Sequence, residues 1–201
     1  MTPSVAQGNQ ATRRRSTALE GIIRTVIPVK LFLLLRRHME TQIANAVSLT
    51  LLIPIPLAIS LFFYTQDSVY LFIGLACILI SAYVERIKPY FDSPRPEGAK
   101  DCNAFCGGGS VEGKPGFPSG HVATVTLFVL LLGAYTQSYY WLLGFVWIAA
   151  MAWSRYEKDC HTVEQVAGGA LVGLLGAMIG CMSYWVVKTY DFIQIIRNYT
   201  A

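Results

Sequence analysis

Residues suited to phosphate chemistry fall in three short stretches of this chain: "KPYFDSPRP" from Lys88 to Pro96, "FPSGH" from Phe117 to His121, and "SRYEKDCH" from Ser154 to His161. Two of the three histidines, His121 and His161, are among them. Imidazole titrates near neutrality, so two of them can divide a displacement between a nucleophile and an acid or base. Lys88, Arg95 and Arg155 add cations, and an arginine fork matches the oxygens of a phosphate. Ser119 and Gly120 open a long apolar run; at a helix start, their free backbone N–H groups favour an anion. Taken alone, Lys88 reads as a snorkelling charge at the end of a span. Taken together, three cations and two imidazoles point to an anion and to charge developing on a transferring phosphoryl group.

The elements that must position these residues are membrane helices. Of 201 residues, 54% are hydrophobic and 14% charged, against about 25% charged in soluble domains. Residues 41–66 and 68–84 carry no charge, and Val122 to Ser154 is an uncharged run of 33, too long for a single crossing of about 20 residues. It divides at "YTQSYY", Tyr135 to Tyr140, where polar residues and interfacial aromatics interrupt it. The pattern predicts an all-α, polytopic membrane helix bundle with spans at 41–64, 68–90, 119–136, 139–155 and 162–187. Gly168, Gly169, Gly173, Gly176 and Gly180 predict that the last span is the central, tightly packed helix. Pro54 and Pro56 predict a kink in the first.

Short connections at 65–67 and 137–138 place one membrane face. The opposite face then receives the end of span two, the start of span three, the end of span four and the start of span five. Those four helix ends carry Lys88, Arg95, Ser119, Gly120, His121, Ser154, Arg155 and His161 to one place.

Residues 1–40 read as a separate basic tail with an amphipathic interfacial helix bent at Pro28, and residues 41–201 as the membrane-embedded domain. Up to residue 43 there are seven Lys or Arg against two Glu, so the formal net charge of +4 belongs to this tail. The partner expected for those charges is a membrane surface rather than nucleic acid. No cleavable signal peptide is evident, and no repeat.

Lys88, six residues, Arg95 and Pro96; then Pro118, Ser119, Gly120 and His121; then Ser154, Arg155, five residues and His161 together resemble the three-part signature of the type 2 phosphatidic acid phosphatase superfamily. That superfamily includes lipid phosphate phosphatases, glucose 6-phosphatase and vanadium haloperoxidases. The resemblance implies five or six transmembrane helices, an active site at one membrane face, and two-step hydrolysis of a lipid mono- or diphosphate with no metal or other cofactor. His161 would form a phosphohistidine, and His121 would protonate the leaving oxygen and later activate water. Lys88, Arg95, Ser119, Gly120 and Arg155 would hold the phosphoryl oxygens. A lipid phosphotransferase would keep the same residues; a non-catalytic lipid-binding relative would be expected to lose some of them.

One position departs from the pattern: where the superfamily usually has Asp four residues after the nucleophilic His, this chain has Gln165, with Glu164 beside it. The stretch "HTVEQVAGG" is similar to dolichyldiphosphatases, which tilts the substrate toward a polyprenyl diphosphate. Gln165 joins His121 and His161 as a catalytic candidate, as the carbonyl that orients the nucleophile. Cys77 and Cys181 read as packing residues within spans. Cys102 and Cys106 could pair, stay free or bind a metal, and Cys160 is a lesser candidate nucleophile. The resemblance implies a lumenal or extracytoplasmic catalytic face: endomembrane if the source is eukaryotic, plasma membrane if bacterial. The basic tail argues the opposite for five spans, and a sixth segment within the tail would reconcile the two.

Overall fold

The computed structural model describes residues 30–99, 109–136 and 139–190. Pro28, the Arg13–Arg15 cluster, Cys102, Cys106 and the "NYT" sequon at Asn198 lie outside the described residues. The chain divides into two compact units, Met1–Gln42 and Ile43–Ala201. In the first, the described residues 30–42 are helical, with Arg36 Nε donating to Glu40 Oε1 at 2.8 Å one turn on. Leu31, Phe32, Leu33, Leu34 and Leu35 on the same stretch are exposed.

Helix α1 covers 30–49 and runs through a 3-10 turn, Thr50–Leu52. Helix α2 is Pro54–Thr65, α3 Ser68–Ile87, α4 Gly120–Thr136, α5 Leu142–Glu157 and α6 Val163–Tyr190. Among the described residues the regular structure is all helical, as expected of an all-α membrane bundle. The kink expected in the first span is present: Lys30–Leu52 and Pro54–Thr65 meet at a 45° bend. The cause is Pro54 at the first position of α2, which has no N–H to continue the ladder. The turn at 65–67 forms as the sequence suggests. Gln66 ends α2 in the left-handed region at φ 58°, and Asp67 caps α3 by accepting from the Val69 N–H at 3.0 Å.

By length and apolarity alone, α3 with its extension to Tyr90 and α6 each suffice to cross a membrane, and the bent pair makes a third. The apolar α4 is shorter, 17 residues or about 26 Å at 1.5 Å per residue. It is nonetheless the centre of the bundle, packing against α3, α5 and α6. Val122 to Val129 are all buried, so α4 has no polar side to show. This corrects the expectation that the glycine-rich last span is central, since α6 leaves Leu171, Leu175, Met178, Ile179 and Met182 exposed on its far side. The glycines instead form the seam between α6 and α4. A Cβ at Gly169 would lie 2.5 Å from the Ser119 carbonyl oxygen, and one at Gly173 would lie 2.5 Å from that of Ala123. Gly176 and Gly180 face Leu127 and Leu131 in the same way. Cys77 is a buried free thiol in the core, and Cys181, also free, packs against it.

Adding a single methyl at Gly173 should therefore force α6 away from α4. Gly173→Ala is expected to destabilise by about 1–3 kcal/mol, the usual cost of overpacking. In a thermal-unfolding measurement in detergent that is a fall of roughly 2–10 °C. Gly176→Ala meets only the tips of Leu127 and Ile80, at 2.9 and 3.0 Å, and should cost less.

Candidate active site

The C-terminal turn of α5 sets two of the expected residues side by side. After Glu157 the chain reverses at Asp159, φ 52°, and the N–H groups of Cys160 and His161 both donate to the Arg155 carbonyl, at 3.1 and 3.3 Å. Arg155 and His161 are thus fixed in one closed turn, and each is almost wholly buried. Arg155 Nη1 donates to Ser48 Oγ, a buried hydroxyl on α1. Cys160 is disulfide-bonded, which removes it as a candidate nucleophile: a disulfide sulfur is no thiolate.

Helix α6 starts immediately afterwards with a capping box. Gln165 N–H donates to Thr162 Oγ1 at 3.4 Å, and Thr162 N–H donates back to Gln165 Oε1 at 3.3 Å. The same Oε1 lies 3.1 Å from His161 Nδ1. The Gln165 Nε2 faces Ser93 and Pro94, with its shortest bond, 2.9 Å, to the Pro94 carbonyl. Its backbone carbonyl accepts from Ser119 N–H at 2.9 Å, joining the start of α6 to the start of α4.

The amide's orientation is fixed by two partners that have only one role each. A backbone N–H can only donate, so the atom facing Thr162 is oxygen; a carbonyl can only accept, so the atom facing Pro94 is nitrogen. His161 Nδ1 must then carry the proton, and Nε2 presents a lone pair. Arg95 Nη1 lies 3.3 Å from that Nε2 and donates to the Cys160 carbonyl at 3.1 Å. Arg95 itself is held by its N–H to the Lys114 carbonyl, beside an antiparallel bridge between Pro94 and Pro115.

Lys88, on a 3-10 turn that extends α3, is buried and donates from Nζ to Glu85 Oε1. Gly120 sits against the same turn of α3, its would-be Cβ 3.5 Å from Glu85 Oε1. Among the described residues, no hydrogen-bond partner meets the buried atoms His121 Nε2 and Ser119 Oγ. His121 lies within electrostatic reach of Arg155, His161, Lys88 and Lys158, and Lys88 within reach of Arg95 and Arg155. All eight residues singled out in the sequence lie at the same end of the bundle. Ser48, Glu85, Ser93 and Pro94 join them without having been anticipated. The three-residue spacing from Lys88 was the available signal for Glu85, and nothing in the sequence marked Ser48, Ser93 or Pro94. No group of three or more His, Cys, Asp or Glu that could hold a metal occurs among the described residues.

Burial, then the guanidinium groups of Arg95 and Arg155, push the His161 imidazole down to about 2; Lys88 adds to the effect and the Gln165 hydrogen bond opposes it. The ring is neutral at physiological pH.

These features define a membrane helix bundle whose buried imidazoles and cations meet at one end. The chain belongs to the PAP2 superfamily, whose pattern matches residues 69–190. No curated protein sequence matches the chain. Among solved structures, that of Aquifex aeolicus LpxE has a similar fold, with a TM-score of 0.56 and 22% identity over 74% of this chain and 86% of that one.

The depressed His161 has a consequence for stability. An unfolded histidine takes up its proton near pH 6.5, whereas the folded one does so only near 2. Between those values the unfolded state binds more protons, so acidification below about pH 6.5 draws stability from the native protein. His161→Asn lacks this contribution. The difference in melting temperature between wild type and His161→Asn should shift against the wild type as pH falls from 7.5 to 5, and a pH-independent difference would contradict the neutral buried ring.

Proposed function

We propose that the protein is a multi-pass membrane lipid phosphatase that hydrolyses a lipid mono- or diphosphate through a phosphohistidine on His161. The observation that carries this reading is the orientation of His161: its Nδ1 is bonded to Gln165 Oε1, and its Nε2 lone pair lies 3.3 Å from the Arg95 guanidinium. A phosphoryl oxygen arriving at Arg95 takes over that N–H and brings phosphorus to Nε2. In the first step Nε2 forms a bond to phosphorus, the bond from phosphorus to the leaving oxygen breaks, and His121, having taken up the proton that accompanies the anionic substrate, gives it to that oxygen. In the second, neutral His121 takes a proton from water, the water oxygen bonds to phosphorus, and the P–N bond breaks to release inorganic phosphate. Lys88, Arg95 and Arg155, with the backbone at Ser119 and Gly120, hold the phosphoryl oxygens and neutralise charge in the transition state without a metal. Gln165 orients the nucleophile.

A diphosphate is the favoured substrate. With a neutral amide where the superfamily usually has a carboxylate, the site carries one negative charge fewer beside the nucleophile, which suits the more highly charged anion. The Cys160 disulfide supports a catalytic face on the oxidising side of the membrane, lumenal or extracytoplasmic. A glycan on Asn198 in a eukaryotic host would place the C-terminus in the lumen and reverse that orientation.

The test is release of inorganic phosphate by purified protein in detergent with chelator present, comparing phosphatidate, dolichyl diphosphate and undecaprenyl diphosphate. A diphosphate should lead, and His161→Ala should be inactive. Transfer of the phosphoryl group to an added lipid alcohol, without free phosphate, would make the protein a transferase. Activity lost in chelator and restored by magnesium would overturn the metal-free route. Gln165→Ala should lower turnover roughly 10- to 1000-fold, the range for acid–base and orienting groups. Glu164→Gln, at an exposed position, should do much less.

Ser48→Ala should act on binding instead. It removes a hydrogen bond to a charged group from a buried arginine, worth roughly 1.5–3 kcal/mol. KM should rise about 10- to 100-fold with a smaller change in kcat; an unchanged KM would show that Arg155 keeps its place without Ser48.

A further inference from the structure

The hydrogen bonds of the Gln165 amide run in two directions, and only one of them serves His161. Its Oε1 accepts from His161 Nδ1 and from Thr162 N–H, at 3.1 and 3.3 Å. Its Nε2 donates across to the segment after α3: to Pro94 O at 2.9 Å, Ser93 Oγ at 3.0 Å and Ser93 O at 3.3 Å. The next residue, Arg95, carries the guanidinium that reaches His161 Nε2. The side chain is wholly buried. The backbone at Gly116 closes over it so tightly that a Cβ there would lie 2.4–2.7 Å from the amide atoms. Gly116 N–H also donates to Ser93 O at 2.8 Å, so the amide is enclosed by the loop it holds.

We propose that Gln165 is a two-sided positioning residue whose NH₂ group clamps Ser93 and Pro94, and so sets Arg95 on the nucleophile, while its carbonyl orients His161. A carboxylate at 165 could do only the second. It would still accept from His161 Nδ1 and complete the capping box, because Glu serves there as well as Gln. Its other oxygen, however, would face the carbonyls of Pro94 and Ser93, acceptor against acceptor, in a buried site where such groups are costly. The chain's departure from the superfamily's acidic residue follows from the loop that the amide must hold. This inference rests on the phosphatase reading for its kinetic test but not for its spectroscopic one.

The decisive variant is Gln165→Glu, which keeps the acceptor and deletes the donors. At pH 7.5 its kcat/KM for a lipid diphosphate should be at least about 10-fold below wild type, with part of the loss in KM because Arg95 is displaced. Protonation of the new carboxyl restores one donor to Pro94 O, so the activity ratio of variant to wild type should climb as pH falls toward 5. Combined with Arg95→Ala, Gln165→Glu should add little further loss, since both remove the same contact. A Gln165→Glu enzyme as active as wild type, with no acid-side recovery, overturns the proposal. Should the variant not fold, the wild type still decides. In a ¹⁵N-labelled sample in detergent, the Gln165 side-chain NH₂ should be protected from hydrogen exchange, and rapid exchange would refute the clamp. Absence of phosphate release by the wild type would instead remove the phosphatase reading and leave the exchange result standing.

Discussion

The closeness of α6 to α4 is the constraint on which the rest depends. In a bilayer, helices gain no hydrophobic energy by leaving lipid for one another, so their contact must come from packing and hydrogen bonds. The carbonyls of Ser119, just before α4, and of Ala123 within it lie against Gly169 and Gly173, where any side chain would collide. That approach lets Ser119 N–H reach the Gln165 carbonyl at 2.9 Å and so ties the first residues of two helices together. Further down, Ser81 Oγ and Thr124 Oγ1, 2.9 Å apart, join α3 to α4, and Trp147 Nε1 donates to Thr50 Oγ1 at 2.7 Å from α5 to the turn after α1. These two contacts each join polar groups on different elements, which fixes register as well as energy.

The cations are placed by the same means. Arg155 is reached by α1 through Ser48, Lys88 by its own helix through Glu85, and Arg95 by the turn before α6 through the Cys160 carbonyl. Each basic group therefore reports on a separate element of the bundle. If the elements separate, the cations separate. The positive field at this end of the bundle is a property of the assembled fold, and no single helix carries it. Such a field suits an anion whose charge grows as it reacts, because its donors are already oriented and need not reorganise.

Much of this could be read from the sequence. The uncharged runs located the helices, since a membrane leaves little freedom in length or composition, and the break between two of them placed the turn at 65–67. The convergence of Lys88, Arg95, Ser119, Gly120, His121, Arg155 and His161 followed from counting crossings. What escaped were properties that depend on neighbours distant in sequence. The bend before Pro54 was legible as a kink, but not that α1 would continue unbroken from 30 to 49. The centrality of α4 was hidden because uniform apolarity looks alike on a lipid-facing and on a buried helix. Ser48, Ser93 and Pro94 have no signature of their own: a serine becomes a site residue when an arginine 107 positions away donates to it. The Thr162–Gln165 capping box was present in the sequence as T-x-x-Q, and it ties Gln165 to the helix start independently of any role at His161.

A neutral partner on His161 also alters the balance between the two halves of the proposed reaction. A carboxylate on Nδ1 makes the imidazole more basic, which strengthens its attack on phosphorus but makes it a poorer leaving group from the phosphohistidine. The Gln165 amide provides the orientation without the charge, and the guanidinium groups of Arg95 and Arg155 lower the ring's basicity further. Attack is then slower for a given substrate, while expulsion of the ring by water is faster. A diphosphate offsets the first effect, because its leaving group, a phosphate monoester, departs more readily than an alkoxide. The amide at position 165 and the proposed preference for a diphosphate are in this way chemically matched: a weaker nucleophile is adequate where the leaving group is good, and an intermediate formed by it would be the more readily hydrolysed.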